Sequence, residues 1–123
     1  MMKSKILIVD DNELNRKLAG FSLSKIGYHV LLAEDGAGAV AMAIENKPSL
    51  ILMDIGMEGW DGIKTMKLIR KEEGLKEIPI LAFTAFAMKG DREKLISDGF
   101  DGYISKPVKL EKMIETIKKL CPL

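Results

Sequence analysis

The stretch Lys5-Ile6-Leu7-Ile8-Val9-Asp10-Asp11-Asn12-Glu13-Leu14 decides the fold. Four aliphatic residues follow one another without polar alternation, as in a strand buried on both faces, and two carboxylates then halt the run. Four similar runs come later: Val30 to Ala33, Leu50 to Met53, Ile80 to Phe83, and a weaker one at Tyr103 to Ile104. All five are expected to be strands covered on both sides.

Amphipathic stretches separate these runs. Leu14, Leu18 and Phe21 define one apolar helical face, with Gly27 placed to end that helix. Val40, Ala43 and Ile44 do the same before Asn46 and Pro48, and Ile63, Met66 and Ile69 mark a third helix ending near Gly74. A fourth, about Lys89 to Asp98, has only Leu95 and Ile96 for an apolar side, and Gly90 weakens its start. Leu110, Met113, Ile114, Ile117 and Leu120 make the last helix the clearest. Strands alternating with helices at this spacing are consecutive βαβ units, which force a parallel sheet with helices on both faces. The expected fold is α/β, a doubly wound five-stranded parallel sheet in a three-layer sandwich. With no repeat and no Pro/Gly/Ser linker, residues 1–123 are expected to be one folding unit.

Composition narrows the function. Hydrophobic residues make up 47% and charged residues 30% of the 123, the mixture of a globular domain rather than a disordered chain. The 19 Lys and Arg against 18 Asp and Glu leave a formal charge of +1, too small for a general attraction to nucleic acid or anionic lipid. One cysteine, Cys121, forms neither an internal disulfide nor a multi-cysteine metal site, which fits a reducing cytoplasm. The run Ile6 to Val9 is too short for a signal-peptide core, and no later run approaches a membrane span of about 20 apolar residues.

In an open parallel sheet, ligands bind beyond the carboxyl ends of the strands. The first run ends in Asp10 and Asp11, the third in Asp54, the fourth in Thr84, and the fifth in Ser105 and Lys106 before Pro107. Read singly, each has an ordinary structural explanation: Asp11 or Asn12 caps the following helix, Thr84 is a strand residue, Lys106 a solvated loop lysine. Capping accounts for one carboxylate and not for three. Two unit charges about 4 Å apart repel by about 4 kcal/mol at an effective dielectric of 20, so clustered Asp10, Asp11 and Asp54 must protonate or recruit a cation. All-oxygen ligands suit Mg²⁺.

At these residues the sequence resembles the response regulator receiver domains of two-component signalling. The resemblance spans the chain: Val9-Asp10-Asp11-Asn12, Leu52-Met53-Asp54-Ile55 with Asp61-Gly62 opening the next helix, Thr84-Ala85, and Lys106-Pro107, in order and on the correct strand ends. It implies a flavodoxin-like (CheY-like) sheet of order 2-1-3-4-5. It also implies that Asp54 is the phosphoacceptor and that Asp11, Asp54 and the Gly56 carbonyl ligate Mg²⁺, with Asp10 orienting a bound water. Thr84 and Lys106 would contact phosphoryl oxygens, and the Lys106-Pro107 bond would be cis. Thr84 and Tyr103 would form the switch, remodelling the face made by the fourth helix, fifth strand and fifth helix, where a downstream protein target docks. The donor would be a sensor histidine kinase or a histidine phosphotransferase, with no direct role for nucleic acid or membrane. Such a domain would be a cytoplasmic signalling receiver and not an enzyme, promoting only its own phosphorylation and dephosphorylation. The loop after Asp54 departs from the family: Met57 is kept, but Glu58 replaces a proline and Trp60 an aliphatic residue. By the resemblance, Gly56 and Phe86 occupy positions that flank the phosphoryl group in the family, where Phe86 would either lengthen the acyl phosphate's life or simply pack against the fourth helix.

Two other classes use related parts. An Mg²⁺-dependent phosphohydrolase with an aspartyl-phosphate intermediate needs a nucleophile and general acid together after the first strand, and a covering insertion; neither is visible. Flavin binding needs a phosphate loop after the first strand, where Asp10 and Asp11 would repel phosphate. Gly56, Gly59 and Gly62 do not match G-x-G-x-x-G, and none follows the first strand. His29 lacks partner spacing for a metal, and Lys109, Lys112, Lys118 and Lys119 give the last helix a basic, solvated side with partner docking as the second reading.

Overall fold

The apolar runs pair as one sheet in the computed structural model of the chain, which describes residues 4–57, 61–85, 89–107 and 109–123. The strands are β1 (Lys5–Val9), β2 (His29–Ala33), β3 (Leu50–Asp54), β4 (Ile80–Thr84) and β5 (Gly102–Ser105). They pair in the order β2-β1-β3-β4-β5, every pair parallel. The helices α1 (Glu13–Lys25), α2 (Gly36–Asn46), α3 (Gly62–Arg70), α4 (Lys89–Asp98) and α5 (Leu110–Leu120) alternate with them, giving the doubly wound, CheY-like arrangement.

The uninterrupted apolar runs exist because each strand serves two cores. In β1, Leu7 and Val9 join one cluster with Ala39, Ala43, Met66 and Ile69; Ile6 and Ile8 join the other with Ala19, Leu23, Met113 and Ile117. Leu50 to Met53 and Ile80 to Phe83 divide between the same clusters. Every residue of β3 and β4 is buried, and each large aliphatic among them contributes about 1.5–3 kcal/mol of burial.

The edge strands depart from the expected double burial. In β2 only Ala33 is buried and in β5 only Ile104, because an edge strand has a neighbour on one side only. One helix presents a different face from the one expected, and a second does so in part, keeping Val40 and Ala43 toward the core. In α1 the buried residues are Ala19, Gly20 and Leu23, whereas Leu14 and Phe21 are 68% and 69% exposed. In α2 Gly36, Ala39 and Ala43 are buried and Ile44 is exposed. Small residues let these helices lie close to the sheet: a Cβ on Gly20 would sit 3.2 Å from Leu32 Cδ2. Bulkier side chains on that face would hold the helix away. In α4 Leu95 is buried as expected, but Ile96 faces solvent, and in α5 Met113 and Ile117 form the buried stripe.

The amino-terminal edge of the sheet is tied by two long side chains. Arg70, ending α3, donates to the carbonyls of Lys76, Ile78 and Gly99 and to Asp101 Oδ2 at 2.8 Å; the same oxygen accepts the Ile80 amide. Buried Tyr28 donates its hydroxyl to the Cys121 carbonyl at 2.6 Å, fixing the chain after α5. Among the described residues no helix is long and apolar enough to cross a membrane.

Candidate functional site

Parallel strands joined by helices all end at the same edge, so the residues after each run meet without any special device. Asp10, immediately after β1, is fully buried; its Oδ1 accepts the Asn12 amide at 2.8 Å, and its Oδ2 is buried with no hydrogen-bond partner. Burial pushes the Asp10 carboxyl up to about 6, reinforced by the charge of Asp54 and opposed by the Asn12 amide and Lys106. Asp11 is exposed beside it. Asp54, the last residue of β3, is 2% exposed, and its Oδ1 accepts from Lys106 Nζ at 2.7 Å and from the Gly56 amide at 3.1 Å. Oxygens of Asp10, Asp11 and Asp54 all lie within 4.8 Å of one another. At that spacing each ionised pair repels by about 3–4 kcal/mol at an effective dielectric of 20.

Lys106 is aimed by its backbone and by its stem. Its amide donates to the Thr84 carbonyl at 2.8 Å, its bond to Pro107 is cis, and its ammonium lies 4.9 Å from the centroid of the Phe83 ring. Thr84 is buried at the end of β4 and lines a cavity of about 170 Å³ with Ile55, Ile63 and Leu95. Tyr103 is half-buried on β5, one strand away, with the Arg92 guanidinium 4.9 Å over its ring. The structure therefore gathers Asp10, Asp11, Asp54, Gly56 and Lys106 into one cluster. Thr84 joins it through its backbone bond to Lys106, and Tyr103 stands apart on β5. Phe86, Glu58 and Trp60 lie outside the described residues.

Three residues support the cluster, and of these Arg16 alone is not singled out by the sequence. Asn12 caps α1, its side chain accepting from the Asn15 amide at 2.9 Å, while its own amide holds Asp10. Arg16, one turn into α1, donates to the Asp10 carbonyl at 2.8 Å. Gly62 opens α3 against the Asp54 main chain: a Cβ there would collide with the Asp54 carbonyl oxygen and lie 2.9 Å from Ile55 Cα. A glycine at the first turn of a helix, where Ala is favoured, was the available signal for that close approach.

The donor set is entirely oxygen, it carries excess negative charge, and one buried carboxylate oxygen lacks a partner. Those three features fit a hard divalent cation such as Mg²⁺.

The fold and this cluster define a class. The chain belongs to the response regulator receiver domain family, matching it over residues 6–118, and is a two-component signalling domain. It is similar to the polar-differentiation response regulators DivK of Brucella anthropi, 42% identical, and of Brucella ovis, 43% identical, each over 117 residues and 95% of both chains. Chemotaxis protein CheY4 of Vibrio cholerae matches with a TM-score of 0.92 at 28% identity, over 97% of this chain and 99% of its own. A receiver domain of a sensor histidine kinase from Pseudomonas aeruginosa, described with magnesium coordinated in its active-site cleft, matches with a TM-score of 0.87 at 34% identity, over 97% and 98%.

Proposed function

We propose that this chain is a phosphoacceptor switch in which Asp54 takes a phosphoryl group from the phosphohistidine of a sensor histidine kinase or histidine phosphotransferase. The observation that carries this reading is the 2.7 Å contact of Lys106 Nζ with Asp54 Oδ1 beside the Asp10 and Asp11 carboxylates. An Asp54 oxygen attacks phosphorus, the bond to the donor imidazole breaks, and the imidazole nitrogen keeps the electron pair. Lys106, held by Phe83 and by its backbone bond to Thr84, offsets negative charge on the transferred group, and the Thr84 hydroxyl donates to one of its oxygens. Mg²⁺, with Asp11, Asp54 and the Gly56 carbonyl as its ligands and Asp10 orienting a bound water, would supply the remaining charge neutralisation when bound. Asp10 is suited to its role because its free Oδ2 has no other partner.

The response is read through Thr84 and Tyr103. Movement of Thr84 toward the phosphoryl group frees space near β5, Tyr103 turns inward, and the face of α4, β5 and α5 changes its affinity for a downstream protein. The whole chain, 1–123, acts as one domain in the cytoplasm, promoting only its own phosphorylation and dephosphorylation. The name borne by the DivK relatives supports a place in polar differentiation.

Acetyl phosphate with Mg²⁺ is expected to phosphorylate the wild type and leave Asp54→Asn unlabelled, and beryllofluoride is expected to shift the NMR signals around Tyr103. Equal labelling of the variant overturns the assignment of Asp54; an unmoved Tyr103 overturns the switch.

A further inference from the structure

A groove of about 490 Å³ runs along the outer edge of β5 between α4 and α5, within the size range of ligand pockets. Its wall includes every residue of β5. From α4 comes Arg92, and from the start of α5 come Lys109 and Lys112; Lys106 closes one end. Four cations and no carboxylate line it among the described residues. The remaining basic residues of α5 lie elsewhere: Lys119 pairs with Glu115, and Lys118 is exposed outside the groove.

The backbone at the floor of the groove is also specific. β5 pairs with β4 alone, and Lys106 donates its amide to the Thr84 carbonyl. In a parallel ladder alternate residues face the same neighbour, so Ile104 turns its N–H and C=O toward β4 while Tyr103 and Ser105 turn theirs to the open side. An added strand of four residues needs a slot roughly 13 Å long, 5 Å wide and 10 Å deep, about 650 Å³, of which part stays in solvent. A docked helix satisfies its own backbone and would leave the edge groups of Tyr103 and Ser105 unused. Lys106 is already paired with Asp54, but a second copy of this chain would still bring Arg92, Lys109 and Lys112 against their own like charges, which disfavours self-pairing along the edge.

We propose that this groove takes an acidic segment of a partner protein in extended form, adding a sixth strand to the sheet at β5. Backbone bonds to Tyr103 and Ser105 set its register, and its carboxylates meet Arg92, Lys109 and Lys112. The Arg92 guanidinium, now 4.9 Å over the Tyr103 ring, lies where such a segment would pass, so the same side chain meets the partner and the tyrosine of the switch. The proposal rests on the reading above, since it names the mode and chemistry of the partner at the responding face.

The test uses the full chain, ¹⁵N-labelled, at 150 mM salt, with two blocked pentapeptides as probes, one alternating Glu with Val and the other Lys with Val. The acidic peptide is expected to bind saturably and to slow hydrogen exchange of the Tyr103 and Ser105 amides at least tenfold, with little change at Ile104. The double variant Lys109→Glu, Lys112→Glu is expected to weaken that binding at least tenfold while its β-sheet amide pattern stays native. Absence of saturable binding, equal binding of the lysine peptide, or binding without protection of Tyr103 and Ser105 overturns the proposal. Protection of those amides by increasing protein concentration alone also overturns it, in favour of a second copy. Acetyl phosphate labelling of Asp54 on the same preparation reads the phosphoacceptor assignment separately, so either can fail without the other.

Discussion

Asp10 is held in a position that the folded chain alone does not favour. It is fully buried, half of its carboxylate has no partner, and its pKa is raised to about 6 because burial penalises the charge. A carboxyl raised on folding stabilises the protein when protonated; that contribution is complete below the ordinary value of 3.8 and is lost as pH rises through about 6. Above pH 6 the uncomplexed protein therefore carries a buried charge that costs stability. Asp10→Asn removes the charge and keeps an oxygen for the Asn12 amide, so it is expected to raise stability at pH 7.5 by about 1–3 kcal/mol in urea unfolding without Mg²⁺. The same variant is expected to lose most Mg²⁺ affinity, measured by isothermal titration calorimetry. In the wild type that affinity is expected to fall as pH drops below about 6, since the cation needs the ionised form. An Asn variant no more stable than wild type at pH 7.5 contradicts this account.

The elements show where reading the sequence succeeds and where it stops. Strand positions were legible because β1, β3 and β4 are buried on both faces and leave continuous apolar runs, and because each run ends in the polar residue that belongs to the site. Helical faces were less legible in α1 and α2. A stripe of large apolar residues at Leu14, Leu18 and Phe21 looks like a core face, yet the sheet receives Ala19, Gly20 and Leu23, since close packing rewards small residues that periodicity weighs little. The assignment is testable by paired substitutions. Phe21→Ser is expected to change stability by no more than about 0.5 kcal/mol, as at an exposed surface position. Leu23→Ala, at a fully buried position, is expected to cost about 2–4 kcal/mol in urea unfolding. Equal losses would return Phe21 to the core.

Across the whole molecule the two edges of the sheet do opposite things. The carboxyl edge gathers Asp10, Asp11 and Asp54, groups that repel one another, with Lys106 as the cation in contact with Asp54. The amino edge holds the compensation. Arg70 there gathers three loop carbonyls and Asp101 into one fan of bonds, joining α3 to the turns before β4 and β5. Nothing in the sequence marks Arg70: a basic residue in the last turn of a helix reads as a match to the helix dipole, and its partners lie 6 to 31 residues away. The Asp101 contact is partly exposed and worth little alone, so the main contribution comes from carbonyls that lose a charged donor. Arg70→Met keeps much of the stem's packing and removes those bonds; it is expected to cost about 2–3 kcal/mol in urea unfolding. Because Arg70 touches no residue of the carboxylate cluster, Mg²⁺ affinity and the rate of Asp54 labelling by acetyl phosphate are expected to stay within twofold of wild type while the variant remains folded. The opposite pattern, intact stability with slowed labelling, would mean that Arg70 acts on the site through β4 and that the two edges are not independent.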